Sequence, residues 1–118
     1  MRLITEHKVN PANDVIEIAV IDVPGSGGAC HEYEITVPGV STMRISFQNG
    51  PIAECGVNGL TQEVLLAICA DRLRGFQSGP YAGRENALAL TKIEEAQHWL
   101  HSRTRARVAR GVEGTHKV

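Results

Sequence analysis

Apolar residues alternate with polar ones through much of the first half of the chain, as they do in β-strands with one buried face. Residues 31–37 and 42–47 show this alternation clearly, and a Pro-Gly turn separates them. Residues 14–23 are rich in Val and Ile and predict a largely buried strand, whereas residues 1–13 predict an irregular lead-in. A short fourth strand is expected at residues 52–57, after an Asn-Gly turn signal. The first half therefore predicts an antiparallel sheet of three or four strands.

The second half changes to the three- and four-residue spacing of amphipathic helices. Asn58 or Thr61 can cap a first helix that ends near Gly75. Pro80 suits the first turn of a second helix, which Gly111 ends after about 30 residues, or about 45 Å. The apolar positions expected to be buried are Leu60, Val64, Leu65, Ile68 and Leu73 in the first helix, and Leu88, Ala89, Ile93, Ala96, Leu100 and Ala106 in the second.

The sequence therefore predicts an α+β fold, in which a small N-terminal antiparallel β-sheet precedes a C-terminal two-helix hairpin with a long second helix. All 118 residues are expected to form a single domain. It comprises a β-rich part at residues 1–57, the hairpin at residues 58–111 and a frayed tail at residues 112–118. The second helix is longer than a domain of this size is wide. Its far end, with the apolar residues Trp99, Leu100 and Val108, is therefore expected to pack against another copy, giving a dimer at least.

The charge is unevenly distributed, although the net charge is only -1. Residues 1–60 hold three Lys and Arg against seven Asp and Glu, whereas residues 61–118 hold nine against six. The halves thus carry -4 and +3, which predicts an anionic ligand at the C-terminal half. This excess is smaller than that of a dedicated DNA-binding protein.

The cysteines and the N-terminus indicate the compartment. Three widely spaced cysteines, with no C-x-x-C pair, favour reduced thiols. The first eight residues lack the apolar core of a signal peptide, and no apolar run approaches the roughly 20 residues that span a bilayer. The sequence predicts a soluble intracellular protein with no membrane partner.

Candidate chemistry lies around the turn between the two helices and at the far end of the second. Phe76 is an aromatic in that turn, and Arg84 and Asn86 fall on the opening turns of the second helix. An aromatic to stack on a base, an amide to bind polar edges and guanidinium groups for phosphates suit a nucleotide pocket. No general base, nucleophile or metal-ligand cluster accompanies them, which indicates binding without catalysis. The arginines at the far end are Arg103, Arg105, Arg107 and Arg110.

Each of these residues also has a purely structural interpretation. Phe76 can plug the hairpin corner, Asn86 can be a solvated surface residue, and the arginines can complement the helix C-terminus. His98 and His101 share a helix face, but no third metal ligand stands at matching spacing. The glycine-rich stretch at residues 25–28 lacks the Lys-Ser/Thr of a phosphate-binding loop. No metal and no cofactor is therefore expected.

Residues 76–96, FQSGPYAGRENALALTKIEEA, closely resemble the helical hairpin shared by two phage immune-evasion families, Thoeris anti-defence protein 1 and anti-CBASS protein 2. Residues 45–52 and 110–116 resemble the first family more specifically. The resemblance covers residues 44–118. It implies a sponge protein that sequesters the cyclic nucleotide signals of bacterial defence systems. Thoeris signals are glycocyclic ADP-ribose isomers, which carry an adenine, two riboses and a pyrophosphate.

The resemblance also implies roles for individual residues and for the assembly. Phe76 would stack on adenine, Asn86 would hydrogen-bond ribose or base, and Arg103 would bind phosphate. Some family members form hexamers and bind CBASS cyclic di- and trinucleotides at separate sites, so a hexamer in the host bacterial cytoplasm is expected. Arg44 is a further candidate for a phosphate contact, and the candidates for the cyclic-oligonucleotide site are Arg84 and Thr91.

Two other functions remain open from the sequence. One is a structural or nucleic-acid-binding phage protein that uses the basic C-terminal helix, although no DNA or RNA partner is expected. The other is a nucleotide-degrading enzyme, for which no base or metal ligand can be named.

Overall fold

The computed structural model describes all 118 residues of the chain. Residues Met1–Leu60 form one unit and residues Thr61–Val118 form a second. The boundary coincides with the change in charge, because the first unit carries -4 and the second +3. The anionic surface therefore belongs to one unit and the cationic surface to the other.

The first unit is a four-stranded antiparallel sheet in which each strand pairs with the next along the chain. The alternation of Tyr33, Ile35 and Val37 with polar residues correctly predicted the strand at Glu32–Val37. In the observed register, Tyr33 pairs with Val20 on one side and with Ile45 on the other. The α+β class and the antiparallel sheet are thus confirmed. The strands are β1 (Arg2–Ile4), β2 (Glu17–Val20), β3 (Glu32–Val37) and β4 (Ser41–Ser46).

The lead-in before β2 is more ordered than the sequence predicts. Arg2–Ile4 forms the edge strand β1, and Pro11–Asp14 forms a one-turn helix, α1. The side chain of Asn10 accepts a hydrogen bond from the Asn13 amide at 2.8 Å and caps α1. The Nε2 of His7 bonds the Ile16 carbonyl at 2.7 Å, which ties the lead-in to the start of β2.

The prediction of a strand at residues 52–57 is wrong, because this segment forms a short helix, α2 (Ile52–Cys55). Pro51 precedes it with φ fixed at -65° and accepts the amide of Cys55 at 2.8 Å. A proline at this point favours a helical start. Gly56 then ends α2 at φ 70°.

The glycine-rich connector is held by a carboxylate. Asp22 accepts the amides of His31 at 2.8 Å and Glu32 at 3.2 Å, and the first of these bonds lowers the pKa of Asp22. The buried His31 ring bonds the Ser26 carbonyl at 3.0 Å. The residues between β2 and β3, which include the 3₁₀ turn Ser26–Gly28, therefore form an anchored loop and not a phosphate cradle.

Asn58 closes the loop after β4 and does not cap a helix. Its side chain accepts the Asn49 amide at 2.8 Å and donates to the Asn49 carbonyl at 2.7 Å. Gly59 then runs so close to β4 that a Cβ there would lie 2.5 Å from the carbonyl carbon of Phe47. This approach lets Leu60 bridge to Phe47.

The second unit is a hairpin of two helices, α3 (Gln62–Gln77) and α4 (Arg84–Ala109), which pack against each other. The 26 residues of α4 span about 39 Å. Gly75 does not end α3, since a glycine inside a helix costs only about 1 kcal/mol. Pro80 lies in the turn and Gly83 caps α4. The turn closes because Gln77 donates to the Gly83 carbonyl at 3.2 Å and accepts its amide at 3.0 Å.

The buried face of α4 is rotated from the predicted one. Ile93, Ala96 and Leu100 are half-buried as expected, but Leu88 is 47% exposed. The inward stripe also contains Thr104 and the buried Arg107, whose polarity hid it from the apolar pattern. The remaining predicted apolar positions that proved exposed are Leu60, Val64, Ile68, Ala89 and Ala106.

Candidate functional site

Phe76 lies in the last turn of α3, at the turn end of the hairpin, and is half-buried. The guanidinium carbon of Arg72, one helical turn earlier, lies over the ring at 5.0 Å from its centre. Sequence reasoning missed Arg72, because it ended the first helix near Gly75 and so left Phe76 outside the helix that makes the two residues neighbours at a four-residue spacing. The ring is therefore paired with a cation of its own helix.

Asn86 lies at the same end, in the first turn of α4, and is also half-buried. Its Nδ2 donates to the Tyr81 carbonyl at 3.5 Å, the outer limit of a hydrogen bond. The carboxamide oxygen has no partner in the chain. Tyr81 itself is 74% exposed and adds a second aromatic side chain to the turn, which the sequence analysis did not single out.

Arg84 and Thr91 lie two turns apart along α4, and both are exposed. Arg84 has no ion pair or hydrogen bond within the chain. The hydroxyl of Thr91 donates to the Ala87 carbonyl at 3.1 Å, so its oxygen remains available as an acceptor. The two residues form a cationic and polar strip on the first half of α4.

Arg107 is buried and fully engaged within the protein. It donates to the carbonyls of Lys117 at 2.7 Å, Val112 at 3.0 Å and Thr115 at 3.1 Å, and its Nε lies 3.3 Å from Oε2 of Glu113. The tail after α4, predicted to be frayed, is held against the helix by these bonds.

The remaining arginines at this end differ in whether their guanidinium groups have a partner within the chain. Arg110 donates to the Val118 carbonyl, so it also serves the tail. Arg103 and Arg105 are exposed and make no hydrogen bond or ion pair within the chain. Of the four arginines at this end, Arg103 and Arg105 are therefore the two whose guanidinium groups are available to a phosphate.

Arg103 follows Trp99 by one turn, and Trp99 follows Leu88 by three turns, so the three residues share a face of α4. Trp99 is 68% exposed. This face of α4 thus carries two exposed apolar side chains and, one turn after Trp99, a guanidinium that has no partner in the chain.

A single chain does not bring all the predicted ligand residues together. Phe76 and Asn86 both lie at the turn end, but Arg103 stands 17 positions after Asn86, which is about 26 Å along the helix. Arg44 lies on β4, in the other unit, and its Nε is 3.1 Å from Oε2 of Glu32. That guanidinium already has an anionic partner.

No group of three or more His, Cys, Asp or Glu side chains is arranged to hold a metal ion. None of the helices combines the length and the apolar character needed to cross a bilayer. The candidate ligand residues of the hairpin are aromatic, amide, hydroxyl and guanidinium side chains.

Comparison with known proteins matches the same part of the chain. The family described as "Acb2/Tad1, hairpin domain" matches residues 40–105, a range that contains all six candidate ligand residues. The chain is also 43% identical, over 93 residues, to "Thoeris anti-defense 1" of Bacillus phage SBSphiJ7. That alignment covers 79% of this chain and 66% of the length of the relative. The match over more than half of the chain shows that this protein belongs to the Acb2/Tad1 hairpin-domain family.

Proposed function

We propose that this protein is a phage anti-defence protein that binds and sequesters the nucleotide signals of bacterial immunity without degrading them. Family membership and the similarity to a protein named Thoeris anti-defense 1 support the biological role. The observation that carries the binding role is that Phe76 and Asn86 both lie at the turn end of the hairpin, where the carboxamide oxygen of Asn86 has no partner in the chain. Its place of action would be the host bacterial cytoplasm, where such signals are made.

The proposed ligand is glycocyclic ADP-ribose. Adenine would stack on Phe76, the free carboxamide oxygen of Asn86 would accept from the base or a ribose, and Arg103 would bind the pyrophosphate. Cyclic di- and trinucleotides of CBASS systems are a second proposed ligand class, held at Arg84 and Thr91.

The 26 Å between Asn86 and Arg103 makes the proposed site a shared one. A cyclic molecule of one adenine, two riboses and a pyrophosphate is shorter than that separation, so Arg103 would come from a second copy. Two α4 helices that cross antiparallel between Glu94 and Glu95 place Asn86 of each copy opposite Arg103 of the other, because the crossing lies midway between those positions.

The outward face of α4 supports this pairing. Leu88 and Trp99 lie on either side of the proposed crossing and would be buried by it. Between them, Lys92 and Glu95 form an ion pair at 3.7 Å, which limits the charge brought to the interface. The proposed assembly is a dimer at minimum and a hexamer when complete.

Sequestration without chemistry fits the residues of the site. Aromatic, amide and guanidinium groups bind and orient a nucleotide, but none of them is a nucleophile or general base at neutral pH. We therefore propose no catalytic residue.

The test is to incubate the protein with glycocyclic ADP-ribose, remove free ligand by filtration, denature the protein with heat and identify what is released by mass spectrometry. The expected result is release of the intact ligand. Release of ADP-ribose would instead make the protein an enzyme, and an empty protein would refute the proposal. The matched control is the variant carrying both Phe76→Ala and Asn86→Ala, which should retain nothing while its sedimentation stays unchanged.

The alternative of nucleic-acid binding through the basic helix rests on the exposed Arg103 and Arg105. Because Arg107 and Arg110 are used by the tail, this end offers two free arginines and not four. Binding to duplex DNA would show log K falling by about 0.9 per neutralised phosphate as log salt rises. A steep slope of that kind, with no retention of the nucleotide signal, would favour the alternative.

A further inference from the structure

Arg72 is an exposed arginine of α3 whose guanidinium lies over the ring of Phe76 and makes no hydrogen bond or ion pair within the chain. Two positions later on the same helix, Arg74 pairs with Glu94 of α4 at 3.1 Å. The hairpin therefore neutralises one of these cations and leaves the other without a carboxylate.

The contact with Phe76 positions the guanidinium of Arg72 and leaves its hydrogen-bonding groups free. A guanidinium over an aromatic face is held by cation–π attraction, while its donors lie in its own plane and stay available to an acceptor beside the ring. Arg72 makes no hydrogen bond that would use these donors. A base that stacks on Phe76 would thus have a preoriented cation next to its phosphates.

Arg103 does not supply this cation within the same chain, because it lies about 26 Å from Asn86 along α4. The turn end would otherwise hold a base-stacking ring and an amide with no phosphate partner of its own. Arg84 is also free, but it has no contact with the Phe76 ring.

We infer that Arg72 is a ligand-binding residue that contacts a phosphate of the nucleotide whose base stacks on Phe76. The inference rests on the proposed function, and it adds a second guanidinium to the site, from the same copy as the stacking ring. The pyrophosphate would then lie between Arg72 of one copy and Arg103 of another.

The experiment measures the dissociation constant of glycocyclic ADP-ribose by calorimetry for the parent protein, Arg72→Gln, Arg72→Lys and Arg105→Gln. Loss of a charged hydrogen bond to phosphate should weaken Arg72→Gln by about tenfold or more. Arg72→Lys retains the charge and should recover at least half of that loss on a logarithmic scale. Arg105→Gln removes the same charge from an exposed arginine outside the site and should change the constant by less than about twofold.

If the parent binds and Arg72→Gln matches Arg105→Gln, the inference falls and the proposed function stands. If Arg72→Lys is as weak as Arg72→Gln, the residue acts by stacking alone and the phosphate contact is refuted. Failure of the parent to bind would overturn both proposals, so the two failures are distinguishable.

Discussion

Arg107 and Glu113 form an ion pair across the end of α4, with 3.3 Å between Nε and Oε2 and only 11% of the Arg107 side chain exposed. The same guanidinium donates to three carbonyls of the tail. An arginine that the sequence offers as a phosphate ligand is thereby a structural residue of the helical unit.

Replacing Arg107 with Met should destabilise the helical unit by about 2–4 kcal/mol, because four interactions of a buried cation are lost at once. Trp99 is the only tryptophan, so its fluorescence during urea unfolding reports on this unit. Hydrogen exchange at the amides of Val112 and Thr115 should accelerate as the tail is released. Arg105→Met is the matched control and should stay within about 0.5 kcal/mol of the parent. Equal stability of the two variants would contradict the structural role.

Gly59→Ala should destabilise the sheet unit by at least about 1–3 kcal/mol, since the new Cβ meets backbone atoms that cannot give way. The nearest atoms, at 2.5 to 2.7 Å, belong to Phe47 and Ser46. Hydrogen exchange of the β3 amides measures this loss. Gly75→Ala is the opposite case, because its Cβ would meet nothing within 4 Å inside α3, and it should stabilise by about 0.5–1 kcal/mol. If Gly59→Ala proved as benign as Gly75→Ala, the close approach would be refuted.

The expectation of a single domain is tested by the same measurements. Trp99 fluorescence follows the helical unit, and exchange of the β3 amides follows the sheet unit. Coincident unfolding midpoints would support one cooperative domain, whereas separate midpoints would make the two units independent domains.

Stability should fall in acid because of two carboxylates in the sheet unit. Backbone donation from His31 lowers the pKa of Asp22, and hydrogen bonds first from Ser46 and then from Arg44 lower the pKa of Glu32. The folded protein holds these protons less tightly than the unfolded chain. Their contribution is therefore complete above the ordinary pKa values of roughly 4 and is lost as the pH falls through the lower folded values.

Urea unfolding at several pH values between about 6 and 2.5 measures this dependence. Glu32→Gln should flatten the decline, because it removes one of the two titrating groups. Glu17→Gln is a suitable control, since no hydrogen bond or ion pair of its carboxylate occurs in the chain. An unaltered acid dependence in Glu32→Gln would show that the loss arises elsewhere.

Substitutions of the ligand residues should weaken binding of glycocyclic ADP-ribose by amounts that match their proposed contacts. Arg103→Ala should cost about 1.5–3 kcal/mol for a charged hydrogen bond to pyrophosphate, and Phe76→Ala about 1–3 kcal/mol for base stacking. Asn86→Ala should cost about 0.5–1.5 kcal/mol, the value of a neutral hydrogen bond. Calorimetry measures each loss. Parent-like affinity in the combined Phe76 and Asn86 variant would move the site away from the turn end.

The shared site predicts complementation between inactive variants. Arg103→Ala on one tag and the combined Phe76→Ala, Asn86→Ala variant on another can be co-expressed and purified as mixed assemblies. In a two-fold pair one site then receives all its wild-type residues, so about half of the parent's binding sites should return. At a ligand concentration near the dissociation constant of the parent, each variant alone should bind little. Mixed assemblies that also bind nothing would place the whole site within one chain.

Much of the fold could be predicted from local sequence patterns. The clear alternation in β3 and β4 and the helical spacing of the hairpin were sufficient for the α+β class. The strand β1 was not predicted, because its three residues, Arg2–Ile4, are too few to show an alternating pattern. They form a strand only because they pair with the edge of β2. Residues 52–57 were misassigned because a short apolar run reads equally as strand or helix, and Pro51 decided for the helix.

The positions of the candidate ligand residues were predictable to the same extent. Phe76 and Asn86 lie near the hairpin turn, where the sequence placed them, and the distance to Arg103 follows from the helical rise. The fate of Arg107 was not predictable, because its carbonyl partners are assembled only when the tail folds back. The spacing of arginines along a helix does not show whether a guanidinium is free to bind a ligand or is hydrogen-bonded to backbone carbonyls.

The Gln77 side chain makes two hydrogen bonds to the backbone of Gly83, and these bonds hold the two helices of the hairpin together whatever residues form the turn between them. A carboxylate at position 77 would lack the donor and an ammonium would lack the acceptor, so the clamp depends on an amide. The side chains of the intervening residues, 78–82, are therefore not required to hold the helices together. The sequence of that loop, with its exposed Tyr81, can therefore change while the helices on either side keep their register.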